Sequence, residues 1–350
     1  MPYNLSAYDF EFPTSLIAQK TAGKGKTKIL HCPKNGEALR ILESPQIIDL
    51  FKNSDCIVVN NTQVIPARLF GKTSHGGKAE ILLLKQLEAA ADGSARWETF
   101  VRPGRAFENG KEVFMSKIKC RSEGLANENS KIRIINFSVP CEKFQSFLAE
   151  NGHVPLPPYI DRSDLESDKS DYQSVFAKYA GAVAAPTASL HFSEDMVIKL
   201  KQKGVRFAQT TLHVGPGTFE NIKEIEDFRK HKMHSEDYLL DEQNAGIINE
   251  AKKNGGRIIC IGTTSTRVLE TLADANGYVT AGKGTTDIFI YPGFKFKITD
   301  ALLTNFHWPK SSLILLVSAF YGRENTLAAY KYAVQNKMKL FSYGDGMLVL

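Results

Sequence analysis

The 350-residue chain has little cysteine and no long apolar run. Its five cysteines, Cys32, Cys56, Cys120, Cys141 and Cys260, are odd in number, scattered, and never spaced C-x-x-C. That usage argues against a disulfide framework or a cysteine zinc site and fits reduced thiols. The longest apolar run, Leu313 to Val317 with Ala319 and Phe320 beyond it, falls far short of the ~18 residues a membrane span needs. The first residues carry neither a basic start nor an apolar core, so no secretory signal is expected and a cytoplasmic protein is. Nor does any internal repeat or low-complexity linker interrupt the chain. Gly25-Lys26-Thr27 and Gly71-Lys72-Thr73 end like phosphate loops, but Lys20 and Pro66 occupy the upstream positions that need glycine. No G-x-G-x-x-G follows a predicted strand, which disfavours a nucleotide triphosphatase or a nicotinamide enzyme. No histidine has H-E-x-x-H spacing.

What is present is ordinary globular composition, 43% apolar and 23% charged, in a length that suggests two or three domains. Lysine and arginine number 44 against 38 acids, a net charge of +6, and the excess is uneven. Residues 12–36 hold Lys20, Lys24, Lys26, Lys28 and Lys34 with no acid, and Arg229-Lys230-His231-Lys232 is a second block. Such patches suit a polyanion such as RNA, although a solvated face is the plainer alternative. Lys199, Lys201, Lys203 and Arg206 need no partner, because they close a helix opened by Ser193-Glu194-Asp195 and complement its dipole.

The chain has two textures. Between residues 64 and 140, short apolar stretches (Val64–Phe70, Lys78–Leu84, Arg96–Val101, Glu112–Lys119 and Lys131–Phe137) are separated by Gly, Asn, Asp and Ser. Five strands without a helix between them predict a small antiparallel barrel. Elsewhere strands and helices alternate: strand Cys56–Val59, helix Ser193–Lys203, helix Asp241–Asn254, strand Arg257–Ile261, helix Ser265–Ala275, strand Asp287–Ile290 and helix Asn325–Asn336. This alternation predicts a parallel or mixed sheet covered on both faces. The barrel, residues 64–140, would be an insertion between the first strand of that domain and the rest, with residues 1–63 and 141–350 forming the larger domain. Asp161 to Asp171 reads as a polar, acidic loop.

Three stretches carry chemistry. Gly181 to Phe192 consists mainly of small residues and includes His191, so a ligand can approach its backbone. Leu212-His213-Val214-Gly215-Pro216-Gly217-Thr218-Phe219 ends a strand on a histidine before a glycine-rich bend. Ile261-Gly262-Thr263-Thr264-Ser265-Thr266-Arg267 is strand, glycine turn and hydroxyl-rich helix start, and free amides there suit a carboxylate or phosphate. Each also reads as a plain turn with an N-cap. In open α/β sheets such turns converge at the carboxyl edge, where ligands bind. His231-Lys232-Met233-His234 has H-x-x-H spacing that could clamp a metal from one helical turn, but no carboxylate or cysteine stands at standard spacing. No metal is expected.

These residues resemble the S-adenosylmethionine:tRNA ribosyltransferase-isomerase family of queuosine biosynthesis, and the resemblance runs nearly end to end. It is carried by Tyr8-Asp9-Phe10-Glu11-Phe12-Pro13, Val64-Ile65-Pro66-Ala67-Arg68-Leu69 and Pro155-Leu156-Pro157-Pro158-Tyr159-Ile160. It continues through Gly181–Phe192, Leu212–Phe219, His231-x-Met233-His234-x-Glu236 and Gly262–Arg267. Thr304-Asn305-Phe306-His307-Trp308-Pro309-Lys310-Ser311 and Ser342-Tyr343-Gly344-Asp345 complete it. Asn61 and Gln63 stand where the family pattern has Asp and Arg, and Lys24–Lys28 replaces an Arg-Asp-x-Ser-Arg stretch.

The resemblance implies an α/β multidomain protein, a three-layer α/β/α sandwich joined to a small antiparallel β-barrel. The implied reaction moves the ribosyl unit of S-adenosylmethionine onto 7-aminomethyl-7-deazaguanine at the wobble position of a tRNA anticodon. Epoxyqueuosine forms while adenine and methionine leave. S-adenosylmethionine is then a substrate, no cofactor is required, and a cytoplasmic monomer without membrane contact is expected. A tRNA methyltransferase and an idle RNA-binding protein are the alternatives.

The proton work is expected of His213 beside sulfur and of His191, with Glu236 as its partner. S-adenosylmethionine is expected against Ala185, Pro186, Thr187, Gly215, Gly217, Thr218, Gly262, Thr263, Thr264, Ser265, Arg267, Asn305 and His307, with Arg267 holding the methionine carboxylate. Contacts to tRNA are expected from Lys24, Lys26, Arg68, Arg102, Arg105, Arg229, Lys230, Lys232 and Lys310.

Overall fold

The computed structural model describes residues 3–127, 131–215, 222 and 227–350. Two strands that the apolar pattern does not reveal come first, β1 (Lys28–Cys32) and β2 (Arg40–Glu43), followed by β3 (Cys56–Asn60) and the short β4 (Thr62–Val64). The barrel is therefore inserted after four strands rather than after the first.

The barrel strands are β5 (Arg68–Thr73), β6 (Lys78–Gln86), β7 (Ser94–Arg102), β8 (Glu112–Met115), β9 (Ile118–Leu125) and β10 (Arg133–Pro140). They close in the order β10-β7-β6-β5-β8-β9, with every neighbouring pair antiparallel. Along β6, Ala79, Ile81 and Leu83 are buried while Glu80 and Leu82 face outward, the alternation of a strand wetted on one side. Inward side chains such as Leu69, Trp97, Met115, Cys120 and Phe137 form the barrel core, capped by Phe144 and Leu148 of α1 (Phe144–Asn151). The predicted single strand Glu112–Lys119 is two strands. Met115 pairs with Ile118 across a two-residue turn in which Ser116 has φ 52°, a left-handed turn made without glycine or asparagine.

After α2 (Asp168–Asp171) and β11 (Tyr179–Ala182), which pairs with β4, the chain enters its strand–helix alternation. The elements are α3 (Glu194–Gln202), β12 (Arg206–Leu212), β13 (Glu236–Leu240), α4 (Glu242–Lys253), β14 (Ile258–Ile261) and α5 (Gly262–Leu272). Then come β15 (Gly282–Thr286), β16 (Ala301–Asn305), α6 (Ser312–Tyr321), α7 (Arg323–Gln335) and β17 (Gly346–Val349). Helix starts follow their caps: Ser193, Asp241 and Ser311 each accept a backbone N–H with the side chain.

Among the described residues, nine strands make one mixed sheet in the order β15-β13-β12-β3-β14-β16-β17-β1-β2. The centre is parallel and buried, which is why Cys56–Asn60 and Ile258–Ile261 read as continuous apolar runs. Successive residues go to opposite faces. Cys56 and Val58 pack with α4, α6 and α7, whereas Ile57 and Val59 pack with α3 and Phe192.

One predicted strand is displaced. The ladder partner of β13 is Gly282–Thr286, not Asp287–Ile290. Ile290 instead joins the core at 2% exposure. The true strand is disguised by its glycines, of which Gly284 leaves room for the Tyr238 ring crossing it.

The two central strands β3 and β14 are clamped at their start. Asp55, fully buried, takes Arg257 Nε at 2.9 Å and Nη2 at 2.6 Å. Removing one partner of such a pair strands the other charge away from water. Arg257→Ala should therefore cost about 3–5 kcal/mol, whereas Arg206→Ala, which breaks a largely exposed pair with Glu250, should cost under about 1 kcal/mol. Urea denaturation of the two variants checks this, and equal losses would refute the clamp.

Candidate active site

The parallel strands deliver their carboxyl ends to one place. A cleft of about 410 Å³ opens there, walled by Val214 after β12, Gly262–Thr264 after β14 and Thr304–Trp308 around the end of β16. Ala185, Pro186 and Thr187 form another wall, and Tyr159, Trp308 and Phe341 an aromatic one. The Trp308 and Phe341 rings stack at 4.4 Å and 12°, with Tyr159 tilted against both. This wall comes from three distant parts of the chain, and sequence reading assigned none of its members to the site.

The turn into α5 is shaped for an anion. Gly262 has φ +86°, and Ile261 at the N-cap offers no side-chain acceptor, so among the described residues the first amides of the helix keep their hydrogens for another partner. Thr264 Oγ1 is buried there without a hydrogen-bond partner among the described residues. Across the cleft, Asn305 accepts from Thr187 Oγ1 at 2.8 Å and donates to Phe341 O at 3.1 Å, fixing three walls through one carboxamide.

Arg267 also reaches the cleft, but its guanidinium is engaged. Nη1 donates to Glu236, Nε to Ile288 O at 3.3 Å and Nη2 to Thr286 O at 3.4 Å. Glu236 accepts a second bond from Gly215 N at 3.1 Å, and both partners of the ion pair are 8% exposed. Glu236 is thus the partner of Arg267 and not, as expected, of His191.

The histidines separate. His191 is 1% exposed and absent from the cleft wall. Its Nδ1 lies 2.8 Å from Thr27 Oγ1, and its Nε2 faces Gly346, where a Cβ would stand only 2.6 Å away. Burial pulls its pKa down to about 4. A ring sealed in this way has no route to a substrate. His213 sits just outside the wall, beside Val214, with Nδ1 2.8 Å from Thr62 Oγ1 and its ring packed on Gly181. Burial lowers its pKa too, opposed by Asp237. His307 is the histidine on the wall itself: Nε2 lies 2.9 Å from Thr304 Oγ1, and burial lowers its pKa to about 3.

Of the remaining expected contacts, Ser265 is fully buried off the wall, and Gly217 and Thr218 lie outside the described residues. His231 and His234 do not share a helical turn, because residues 231–235 are non-helical and run straight into β13. The basic residues divide. Arg229 is paired with Asp227 at 2.6 Å and lies 3.6 Å from the centre of the Tyr3 ring, and Lys310 pairs with Asp9 at 2.7 Å. Lys26, Arg102, Arg105, Lys230 and Lys232 are exposed, and Lys24 half-buried.

The sealed histidine makes stability pH-dependent. Above the ordinary value of 6.5 His191 is neutral in both folded and unfolded chains. Between 6.5 and about 4 only the unfolded chain takes up the proton, so stability falls with falling pH across that window. The loss from this ring should be on the order of 2 kcal/mol by about pH 4.5, and His307 acts with the same sign. Denaturant titrations at pH 7 and 4.5 should show His191→Gln losing less than the wild type, and a parallel loss would contradict the assignment.

Comparison with known proteins agrees with this geometry. A family model described as "Queuosine biosynthesis protein" matches residues 5–349. Two relatives called S-adenosylmethionine:tRNA ribosyltransferase-isomerase, from Caldanaerobacter subterraneus subsp. tengcongensis and a Thermoanaerobacter species, are each 44% identical over 347 residues, 99% of either chain. The crystal structure of S-adenosylmethionine tRNA ribosyltransferase from Thermotoga maritima is 30% identical, covering 98% of this chain and 100% of that one, with a TM-score of 0.54. A barrel beside a mixed sheet whose carboxyl edge holds the cleft is thus accompanied by similarity along nearly the whole sequence, and the chain belongs to the queuosine biosynthesis protein family.

Proposed function

We propose that the protein transfers and isomerises the ribosyl unit of S-adenosylmethionine onto 7-aminomethyl-7-deazaguanine in the anticodon wobble position of tRNA. Epoxyqueuosine is the product, with release of adenine and methionine. The observation that carries this reading is the 44% identity, over 99% of the chain, to relatives bearing that activity in their names. We read residues 1–63 and 141–350 as a three-layer α/β/α domain, supported by the apolar clusters on both faces of the sheet, and residues 64–140 as the inserted barrel domain. A cytoplasmic monomer fits this reading.

The chemistry asks for a base, an anion site and a face for adenine. The methionine carboxylate docks on the open amides of α5, with Thr264 Oγ1 beside them. The buried Glu236–Arg267 pair adjoins it and complements the zwitterion, carboxylate toward Arg267 and ammonium toward Glu236. Adenine and the sulfonium lie along Tyr159 and Trp308, where ring faces stack the base and favour a cation.

His213 takes the proton from the carbon next to sulfur, which the positive charge acidifies. Its lowered pKa keeps it neutral near pH 7. Thr62 Oγ1 can give its own proton to Tyr179 O at 3.5 Å, so it accepts from Nδ1–H and leaves the Nε2 lone pair as the base. His307, on the wall, takes the adenine-side role that His191 is too buried to fill. The carbanion so formed closes the carbocycle, and the glycosidic C–N bond breaks with its pair going to adenine, which takes up a proton. The C–S bond breaks with its electron pair going to sulfur as the ribosyl ring oxygen closes the epoxide on that carbon, so methionine leaves as its neutral thioether. The substrate amine loses a proton as its C–N bond forms. No step requires electron transfer or an electrophilic metal.

Incubation with precursor-modified tRNA and S-adenosylmethionine should yield free adenine and methionine in equal amounts, whereas S-adenosylhomocysteine would overturn the reading. Turnover should survive exhaustive chelation with EDTA. His213→Ala should lower kcat by ~10²–10⁴ with tRNA binding and melting temperature unchanged. Near-normal turnover, or a loss that only tracks unfolding, would remove His213 from the mechanism.

A further inference from the structure

A second cleft, of about 420 Å³, lies between the outer face of the barrel and the segment that leads into the first. It is walled by Arg68, Glu80, Phe100, Arg102 and Lys131 on the barrel side and by Pro155, Leu156 and Pro158 opposite. Pro158 lines both clefts, so a chain that enters one passes the rim of the other.

The charge of this cleft is one-sided. Glu80, which faces Arg102 across the β6–β7 ladder, gives its carboxylate to Arg68 at 2.7 Å. That leaves Arg102 and Lys131, both exposed and neither with a carboxylate partner among the described residues, as the net charge of the wall. Aromatic surface interleaves with the cations. Phe100 lies in the cleft, and Phe70 stands 46% exposed nearby, with the Arg68 guanidinium 5.0 Å from its ring centre. Cations tracking a backbone, with aromatic faces between them, are the recognition pattern of single-stranded nucleic acid. The volume falls within the roughly 300–1,000 Å³ of ligand clefts.

We propose that this second cleft seats the nucleotide adjacent to the one being modified, holding its phosphate between Arg102 and Lys131 and stacking its base on Phe100. The proposal deepens the proposed function and rests on it for the position of the modified nucleotide. It also redistributes the expected RNA contacts: Arg229 and Lys310 are already paired, whereas Lys131 is added.

Direct titration with an anticodon stem-loop RNA carrying ordinary guanine tests the cleft without needing turnover. Arg102→Glu with Lys131→Glu should weaken binding at least tenfold and reduce the slope of log K against log salt by about 0.7, the contribution of one single-strand phosphate. Phe100→Ala should weaken binding about tenfold with the salt slope unchanged. Arg102→Lys should stay close to wild type, and equilibrium binding of S-adenosylmethionine should not change in any of them. Melting temperatures separate these effects from misfolding, and Lys131→Glu alone, on an exposed side chain, should already lower both affinity and slope. Unchanged affinity and slope in folded charge-reversal variants overturn the proposal while leaving the reaction standing. Loss of RNA binding by the variants beside a wild type that binds RNA yet releases no adenine supports the cleft and removes the reaction.

Discussion

Both clefts hang on one buried carboxylate. Asp168 is 1% exposed and accepts from Arg162 Nη1 at 2.6 Å, Arg162 Nη2 at 2.9 Å, Leu165 N at 2.7 Å and Tyr343 OH at 2.7 Å. Burial by itself would raise its pKa, but these donors outweigh it and hold the carboxyl at about 2. The carboxylate ties residues 155–172 to the loop at residues 341–345. Pro158, the common wall of the two clefts, sits on the first of these segments, as does Tyr159, whose hydroxyl meets Ser342 on the second. An ion pair farther along the same segment thus helps hold Tyr159 in the aromatic wall.

The same economy of charge separates two binding problems. A sulfonium substrate is a cation and RNA is a polyanion, so one uniformly basic surface would serve them badly. On the wall of the first cleft, Arg267 is neutralised by Glu236, and His307 is held uncharged by burial. In the second, Arg68 is neutralised, whereas Arg102 and Lys131 have no carboxylate partner among the described residues. A positive field thus begins on the far side of Pro158. The net charge of +6 is informative only once it is resolved into these two regions.

Much of this was legible from sequence where local physics decides. Ser193 and Asp241 announce their helices because an N-cap needs nothing beyond the next few amides. The glycine turn before α5 and the small-residue wall at Ala185–Thr187 were legible for the same reason. Long-range pairing was not. Strands β1, β16 and β17 are four or five residues each and gain their identity from one another across the sheet. The preference of Glu236 for Arg267 over His191 depends on β13 meeting β15, which places Thr286 O and Glu236 around one guanidinium. The stretch 161–171 reads as a polar, acidic loop because Asp168 finds its third donor, Tyr343, at a separation of 175 residues.

The departures at positions 61 and 63 are absorbed by how His213 is held. Asn60 accepts from both Thr62 N and Leu212 N at 3.1 Å, so one side chain lashes the start of β4 to the end of β12. Thr62 then holds the His213 ring. Between them Asn61 is 4% exposed, donating to Gln209 Oε1 at 3.0 Å and accepting from Thr211 Oγ1 at 2.7 Å. An aspartate could keep the bond from Thr211, and the Gln209 amide could turn to donate to it, so either side chain can be hydrogen-bonded in this place. Gln63 faces solvent on β4, where its backbone pairs with Ala180 whatever its side chain. What positions His213 is thus the Asn60–Thr62 relay and the open space at Gly181, and neither substitution touches them.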